Sequence, residues 1–348
     1  MIETRKNPVQ AVSGFFKKSR EEWKEFLVNN AIYIVIFSII IFIIINEPAF
    51  LSLRVFKNIL TQSSVRLILA YGVAGIIILQ GTDLSLGRSV GFAAVISASL
   101  LQRPDYPALF FPEMGQLPLI VPLLVAIVVC AFFSGINGWV VAKFQIHPFL
   151  ATMGMMIALY GILSIYFASG APGPQPIGGH EMRYTNLAVG STLGIPNIVI
   201  FAALTSLVIW FLWNKTTFGK NMYAVGGNPE AAKVSGVNVL KTTVLVYLLA
   251  GVTYGIGGFL EAARIGSANN GTGFGYELDA IAACVVGGIS FSGGIGRVSG
   301  AIAGVLMFTI ISYGMTFMGM DMNFQYILKG VIIVAAVALD TKKYLKKS

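Results

Sequence analysis

Long apolar runs alternate with short polar segments along most of the chain. After a first run that ends at Ile45, they cover residues 65–81, 85–101, 119–142, 148–168, 196–213, 242–263, 277–291, 295–317 and 324–340. Most have the length of about 20 residues that an α-helix needs to cross the hydrocarbon core of a bilayer. The pattern therefore predicts an all-α polytopic membrane protein with about ten transmembrane helices, some of them broken.

The segment before the first run, residues 1–26, has a different pattern. Aromatic residues are interleaved with basic ones at near-helical spacing: Phe15, Phe16, Trp23 and Phe26 among Arg5, Lys6, Lys17, Lys18, Arg20 and Lys24. This is typical of an amphipathic helix that lies in the membrane interface. We therefore predict an interfacial, cytoplasmic N-terminus.

Two glycine-rich polar segments interrupt the apolar pattern. The first reads GTDLSLGR at residues 81–88, and the second reads GGISFSGGIGRVSG at residues 287–300. Irregular backbone at membrane depth is tolerated only against protein or water, and a carboxylate there costs a few kcal/mol unless it is paired or hydrated. The first break therefore predicts either a cavity lined by Asp83 or a plain hairpin in which Asp83 caps the next helix.

A stripe of small residues follows the second break. Gly296, Gly300 and Gly304 recur every four residues. In membrane helices this spacing indicates close helix packing more often than a ligand site.

The longest polar segment in the middle of the chain, residues 214–241, contains four lysines and one acid, Glu230. Such an excess of lysine between two apolar runs indicates a cytoplasmic loop. The segment also carries the signals of a short helix: Asn228 as N-cap, Pro229 at the first position and Gly236 as the stop. A capped helix in a loop can dock onto a partner, and the alternative is a loop folded against its own membrane domain.

The distribution of basic residues predicts the topology. In a ten-span arrangement with both termini in the cytoplasm, 17 of the 24 lysines and arginines fall on the cytoplasmic side, including Arg88, and 7 on the other side or at span ends. This asymmetry is the one that membrane insertion favours. It also accounts for the net charge of +9 without a nucleic-acid partner.

Composition adds three limits. The chain is 56% apolar and 11% charged, and no Pro/Ser-rich linker divides it, so we predict a single membrane domain over residues 1–348. Cys130, Cys284, His147 and His180 are isolated from one another, which predicts neither a disulfide framework nor a metal-ligand cluster.

The sequence also limits the energy source. The one Gly-Lys pair, Gly219 and Lys220, is followed by Asn221, so the chain has no GxxxxGK[ST] motif for ATP. Proton-coupled transporters usually carry ionisable side chains in mid-span, and here the centres of the apolar runs are almost free of them, with Lys329, near the outer end of the last run, as the one exception.

Polar side chains in or at the edge of apolar runs are candidates for a translocation pathway. They are Asp83, Ser85, Asn137 and Thr152. For Asn137 and Thr152, the alternative is a hydrogen bond between helices.

Five blocks of sequence carry a resemblance to a known family: GTDLSLGRSVG, FGKNMYAVGGNPEAAKVSGVNV, EAARIGSANN, YELDAIAACVVGGISFSGGIG and KGVIIVAAVALD. Together they resemble the permease subunits of bacterial ABC importers for simple sugars, the ribose/galactose group. Within this group, GTDLSLGR and the YELDAIAACVVGG run resemble the members for galactose and methyl-galactoside better than those for ribose.

The resemblance implies an inner-membrane permease that forms a homodimer in lipid, receives sugar from a periplasmic binding protein and is driven by cytoplasmic subunits that hold ATP and Mg. It implies a helix that couples to those ATPases, formed by Gly227, Asn228, Pro229, Glu230, Ala231, Ala232, Lys233, Ser235 and Gly236, with a smooth docking face at Ala231 and Ala232. Two other functions stay open from the residues alone: an ion-coupled secondary sugar transporter, and a non-transporting scaffold whose central loop recruits a soluble partner.

Overall fold

A computed structural model describes residues 31–345, so the predicted interfacial segment at residues 1–26 lies outside the described residues. Over the described part, the chain forms thirteen α-helices, a 3-10 turn at Pro48–Leu51 and one small antiparallel hairpin. The helices are α1 (Ala31–Asn46), α2 (Leu53–Ile78), α3 (Leu86–Leu100), α4 (Ile120–Phe144), α5 (Pro148–Ala168), α6 (Met182–Val189), α7 (Asn197–Lys215), α8 (Thr217–Gly227), α9 (Pro229–Val234), α10 (Val239–Ile265), α11 (Tyr276–Val286), α12 (Val298–Phe317) and α13 (Met322–Leu345). The hairpin pairs β1 (Ser191–Thr192) with β2 (Ile195–Pro196).

Six helices, α2, α4, α5, α7, α10 and α12, are long and apolar enough to cross a membrane. They coincide with six of the predicted runs, and the other four runs correspond to helices α1, α3, α11 and α13. The prediction of a polytopic helical membrane protein is confirmed.

Helix α2 is longer than the apolar run that predicted it. It begins at Leu53, where the hydroxyl of Ser52 accepts a hydrogen bond from the Val55 amide. Arg54, Lys57 and the polar residues at 61–64 make this first half too hydrophilic for a hydropathy pattern to reveal.

Helix α10 forms the centre of the fold and packs against α2, α3 and α4. Its glycines permit a close approach: a Cβ atom on Gly251 would lie 2.5 Å from the Cα of Ala131 in α4, and one on Gly255 would lie 2.6 Å from the Cα of Ile127. Small residues at such contacts let helix backbones pack without a gap.

Helices α3 and α11 are short, with 15 and 11 residues, and each follows a non-helical segment. The end of the first predicted break and the start of α3 lie against the segment that precedes α11. A Cβ atom on Gly87 of α3 would be 2.5 Å from the carbonyl oxygen of Gly273, and one on Gly91 would be 2.3 Å from that of Thr272. The segment at residues 266–275, which precedes α11, therefore packs directly on the first turns of α3.

The second predicted break lies between α11 and α12, and its glycine stripe does mediate close packing. A Cβ atom on Gly300 would lie 2.2 Å from the carbonyl oxygen of Gly287, and one on Gly304 would lie 1.9 Å from that of Ala283. This confirms the packing interpretation of the stripe.

The structure corrects the position of Arg88. This residue was assigned to the same side as the central polar segment, but its guanidinium donates to the carbonyl of Asn270 at 3.2 Å. Asn270 follows the C-terminal end of α10, whereas the central segment precedes its N-terminal end. The pattern of apolar runs misplaced Arg88 because it could not show that α3 begins inside the fold rather than at a boundary.

Candidate functional site

The four candidate pathway residues come together around the first break. Asp83 Oδ1 accepts hydrogen bonds from the amide of Ser85 at 2.9 Å and from its hydroxyl at 2.6 Å. Asn137 of α4 donates to the Ser85 hydroxyl at 3.0 Å, and Thr152 of α5 accepts from the amide of Leu84 at 3.1 Å. Side chains from α4 and α5 therefore satisfy the polar groups of a segment that has no helical hydrogen bonds of its own.

This cluster is enclosed by protein in the described conformation. Asp83 and Thr152 have no exposed surface, and Ser85 and Asn137 are 1% and 2% exposed. Asp83 bonds the amide two residues on, which stabilises the turn before α3 rather than capping the helix.

Part of the cluster lacks hydrogen-bond partners. Asp83 Oδ2 and the hydroxyls of Tyr247 and Tyr254, both in α10, are buried without a hydrogen bond of good geometry among the described residues. Both tyrosines lie close enough to the carboxylate to interact with it electrostatically. Buried polar groups of this kind call for water or a further polar partner.

The central polar segment is more helical than predicted. Helix α8 was missed, because its three glycines obscure a helix whose start is capped by Thr216. Helix α9 has the predicted ends: Asn228 Oδ1 accepts from the amide of Ala231 at 2.9 Å, Pro229 is the first residue, and Gly236 follows with a φ of +84°.

The structure corrects the predicted docking face of α9. Ala232 is 4% exposed and packs inside this chain, so it cannot form a smooth outer surface with Ala231. Val234, which the sequence argument omitted, is 89% exposed. With 3.6 residues per turn, side chains two positions apart lie on nearly opposite faces of a helix, so the burial of Ala232 implies the exposure of Val234. The remaining residues of the predicted coupling element are all exposed: Gly227, Asn228, Pro229, Glu230, Lys233, Ser235 and Gly236.

A groove of about 680 Å³ opens beside α9. Its lining includes Glu230 and Lys233 from α9, Gln145 from the α4–α5 connection and Pro148 at the start of α5. Tyr247 also lines it, so the groove leads from the exposed helix to a residue that faces Asp83.

Ionisable groups surround the start of α11, and those within the apolar runs lie towards the ends of the runs rather than at their centres. Lys329 of α13 bonds Asp279 at 3.0 Å, and Arg66 of α2 lies 3.8 Å from the same carboxylate. Near them, Glu261 pairs with Arg264 at 2.7 Å. Paired charges of this kind are tolerated in the interior of a membrane protein, whereas single ones are costly.

Outside the spans, His180 lies buried between α5 and α6. Burial lowers the pKa of His180 to about 4, against a smaller opposite contribution from the backbone of Ile177. The imidazole is therefore neutral at physiological pH.

Comparison with known proteins identifies the relatives of this chain. A model of the family described as "Branched-chain amino acid transport system / permease component" matches residues 55–337. The galactose/methyl galactoside import permease protein MglC of Haemophilus influenzae is 53% identical over 327 residues, which cover 93% of this chain and 97% of that protein.

Two further relatives set the range of similarity. MglC of Escherichia coli K12 is 49% identical over 94% of this chain and 98% of its own length. The ribose import permease protein RbsC of the same strain is 34% identical over 85% of this chain and 88% of its own length. No solved structure matches the chain.

Proposed function

This chain belongs to the family of permease components described for branched-chain amino acid transport systems, and on this premise we propose that it is the membrane-spanning permease of an ATP-driven importer for galactose and methyl galactoside. It is a multi-pass protein of the bacterial inner membrane. The choice of galactosides over ribose as the proposed substrate rests on one observation: the chain is 53% identical to a galactose/methyl galactoside permease and 34% identical to a ribose permease.

The family match favours this function over the two alternatives. An ion-coupled transporter and a non-transporting scaffold would each need a different explanation for similarity to import permeases over more than nine-tenths of the chain. The chain has no GxxxxGK[ST] motif, so it is not itself the ATPase.

The proposed partners follow from this function. Two ATPase subunits that hold ATP and Mg would supply the energy in the cytoplasm, and a periplasmic binding protein would deliver the sugar. A second copy of the chain would complete the pore, with lipid around the dimer. The chain itself needs no cofactor for this role.

The proposed coupling element is the segment at residues 227–236. Its support is the exposure of α9, the rigid caps at Asn228 and Gly236, and the apolar side chain of Val234 at the tip. A small rigid helix limits the conformational entropy lost on docking, since its backbone is already ordered.

The proposed topology has ten spans and both termini in the cytoplasm. Its support is the excess of basic residues in the central segment and at the chain ends, and the placement of Arg88 inside the fold changes that excess by one residue only. Each shorter helix, α3 and α11, would then cross the membrane together with the non-helical segment before it.

For Asp83, Ser85, Asn137 and Thr152, we propose a role in the translocation pathway through the segment that they hold. All four are buried in the described conformation, in which the proposed pathway would be closed at this level. An alternating-access transporter exposes such groups in only part of its cycle.

Reconstitution tests the proposed function. The chain, its ATPase and its sugar-binding protein are placed in proteoliposomes, and uptake of radiolabelled galactose, methyl galactoside and ribose is measured. We expect uptake of the two galactosides that needs ATP and survives collapse of the ion gradients. Uptake driven by an ion gradient without ATP would overturn the proposal, as would the absence of uptake by an assembled complex.

A further inference from the structure

Arg88 is held in an unusual position at the start of α3. Its guanidinium lies 4.6 Å from the ring centroid of Tyr160 in α5 and 5.2 Å from that of Phe274 in the segment before α11. Its hydrogen bond in the described part of the chain goes to the carbonyl of Asn270, which leaves most of its five N–H donors without a protein acceptor.

Further polar groups lie around this cation. Glu277 is close enough to Arg88 to interact with it electrostatically, and its carboxylate packs against Gly87. The amide of Asn270 reaches the hydroxyl of Ser164 at 3.4 Å. We call Arg88, Tyr160, Asn270, Phe274 and Glu277 the junction face, because the first predicted break meets the segment at residues 266–275 there.

The junction face lies well inside the membrane-spanning part of the chain. Tyr160 precedes the end of α5 at Ala168 by eight residues, or about 12 Å of helix. Val90, two residues after Arg88, approaches Gly258, seven residues or about 10 Å before the end of α10 at Ile265. Two separate helices thus give a similar depth.

A surface of this composition cannot face lipid. A guanidinium at such depth costs several kcal/mol unless water or protein surrounds it. Yet Phe274 is 65% exposed and Tyr160 is 45% exposed in the single chain. Either water or a second polar surface must therefore cover the junction face.

Sugars combine the two chemistries that this face offers. The C–H face of a pyranose ring packs on aromatic rings, and the hydroxyls of the sugar form hydrogen bonds with charged and amide groups. These protein groups lose little free energy when a sugar hydroxyl replaces a hydrogen-bonded water. Tyr160 and Phe274 supply the rings, and Arg88, Asn270 and Glu277 supply donors and acceptors.

We propose that the junction face is a sugar-contacting part of the translocation pathway, at the level where the first predicted break meets the segment before α11. The inference rests on the proposed function, since it takes the transported ligand to be a neutral hexose. In the dimer, the faces of the two copies would line one water-filled passage.

Transport kinetics test the role of the side chains. Tyr160→Leu and Glu277→Gln are compared with Tyr160→Phe, which keeps the ring, and with Ile165→Leu, a 75% exposed position on the same helix. In the reconstituted importer, we expect Tyr160→Leu and Glu277→Gln to reduce uptake about tenfold, as the loss of one charged hydrogen bond or one ring contact would. Ile165→Leu should retain the wild-type rate, and Tyr160→Phe, which keeps the ring, should lose less uptake than Tyr160→Leu.

Thiol labelling gives a second measurement that does not depend on the rate. Phe274→Cys and Ile165→Cys are placed in a chain whose Cys130 and Cys284 are replaced by alanine. A small hydrophilic reagent should label residue 274 and not residue 165, and galactose with its binding protein and ATP should slow the labelling. No labelling at 274, or cross-linking of the two copies there with full transport, would overturn the proposal.

Different results would refute the proposed function and the proposed role of the junction face. If the wild-type importer does not take up galactose or methyl galactoside, the proposed function fails. If it does, and Tyr160→Leu and Glu277→Gln transport at the wild-type rate, the junction face is not part of the pathway.

Discussion

Gly304 offers a sharp test of how the broken helix α11 is held. A Cβ atom at this position would lie 1.9 Å from the carbonyl oxygen of Ala283, 2.7 Å from the amide of Gly287 and 2.9 Å from its Cα atom. All three are backbone atoms, so no side-chain rotation can relieve the contact. Gly304→Ala therefore forces α11 and α12 apart by about 1.5 Å before ordinary packing distances are restored.

Whether Gly304→Ala raises or lowers the stability of the chain distinguishes the effect of packing from that of helix propensity. In an unobstructed helix, replacement of glycine by alanine stabilises by about 1 kcal/mol. Overpacking of a tight contact costs about 1 to 3 kcal/mol, and a contact with backbone belongs at the upper end. We expect a net loss of about 2 kcal/mol, or roughly 3 °C in the unfolding midpoint of a chain of 348 residues.

The measurement is thermal unfolding of the purified chain in one detergent, followed by the fluorescence of its tryptophans. Gly161→Ala in α5 and Gly330→Ala in α13 are the matched controls, since nothing lies within 4 Å of a Cβ atom at either position. We expect no loss of stability in the controls. An unfolding midpoint for Gly304→Ala equal to theirs would refute the proposed contact between α11 and α12.

Four further predictions concern the remaining features. Val234→Asp should reduce co-purification of the ATPase without lowering the amount of protein in the membrane, because Val234 is 89% exposed at the tip of α9. Asp83→Asn should keep the fold and lower sugar uptake, since the amide retains an acceptor for Ser85 but changes the charge facing Tyr254. Single cysteines at Arg183 and Lys233 should react with an impermeant reagent in spheroplasts only at position 183. The free energy of unfolding should fall as the pH drops from about 6.5 towards 4, because the pKa of His180 is about 6.5 in the unfolded chain and about 4 in the folded one. The total loss is about 3 kcal/mol and should disappear in His180→Phe.

Each of these has a result that contradicts it. Val234→Asp would fail as a coupling test if Leu193→Asp, at a 97% exposed position on the β1–β2 hairpin, lost the ATPase equally. Unchanged uptake by Asp83→Asn leaves that residue a role in the turn alone. Labelling at 233 in spheroplasts would reverse the topology, and an unchanged acid transition in His180→Phe would remove the histidine from the pH dependence.

Local rules predicted the parts of the structure that depend on neighbouring residues. The ends of α9 follow from Asn228, Pro229 and Gly236, since a cap and a left-handed glycine act within one turn. The stripe at Gly300 and Gly304 predicted close packing for a similar reason, because residues four apart share one face of a helix. In both cases the partners of the interaction lie close in sequence or the face is set by helical geometry.

The parts that sequence reasoning missed depend on distant partners. Asp279 reads as an acid in an apolar run until Lys329, 50 residues later, and Arg66, on α2, are seen beside it. Arg88 reads as a boundary residue because hydropathy cannot distinguish a helix that begins at a membrane surface from one that begins inside. Ala232 was placed on the wrong face because a helix of six residues is too short to show an amphipathic period.

The two broken segments share one attachment beside the proposed coupling element. Gln80, which precedes α3, donates to the carbonyls of Gly226 at 2.9 Å and of Ser292 at 3.2 Å. The amide of Gly294, in the segment that follows α11, donates to the carbonyl of Ile78 at 2.8 Å. Gly226 belongs to α8, whose last residue is next to the N-cap of α9.

This attachment gives α8 contact with both breaks at once. A Cβ atom on Gly226 would lie 1.9 Å from the carbonyl oxygen of Ile78 and 2.9 Å from the amide of Gly294, so the three backbones leave no space in which one could move without the others. A displacement of α8 by a docked partner would therefore act on the segment before α3 and on the segment after α11 together. Gly87, at the start of α3, and Gly273, before α11, pack against each other. Residues 81–87 and helix α11 therefore both connect this attachment beside α9 to the junction face.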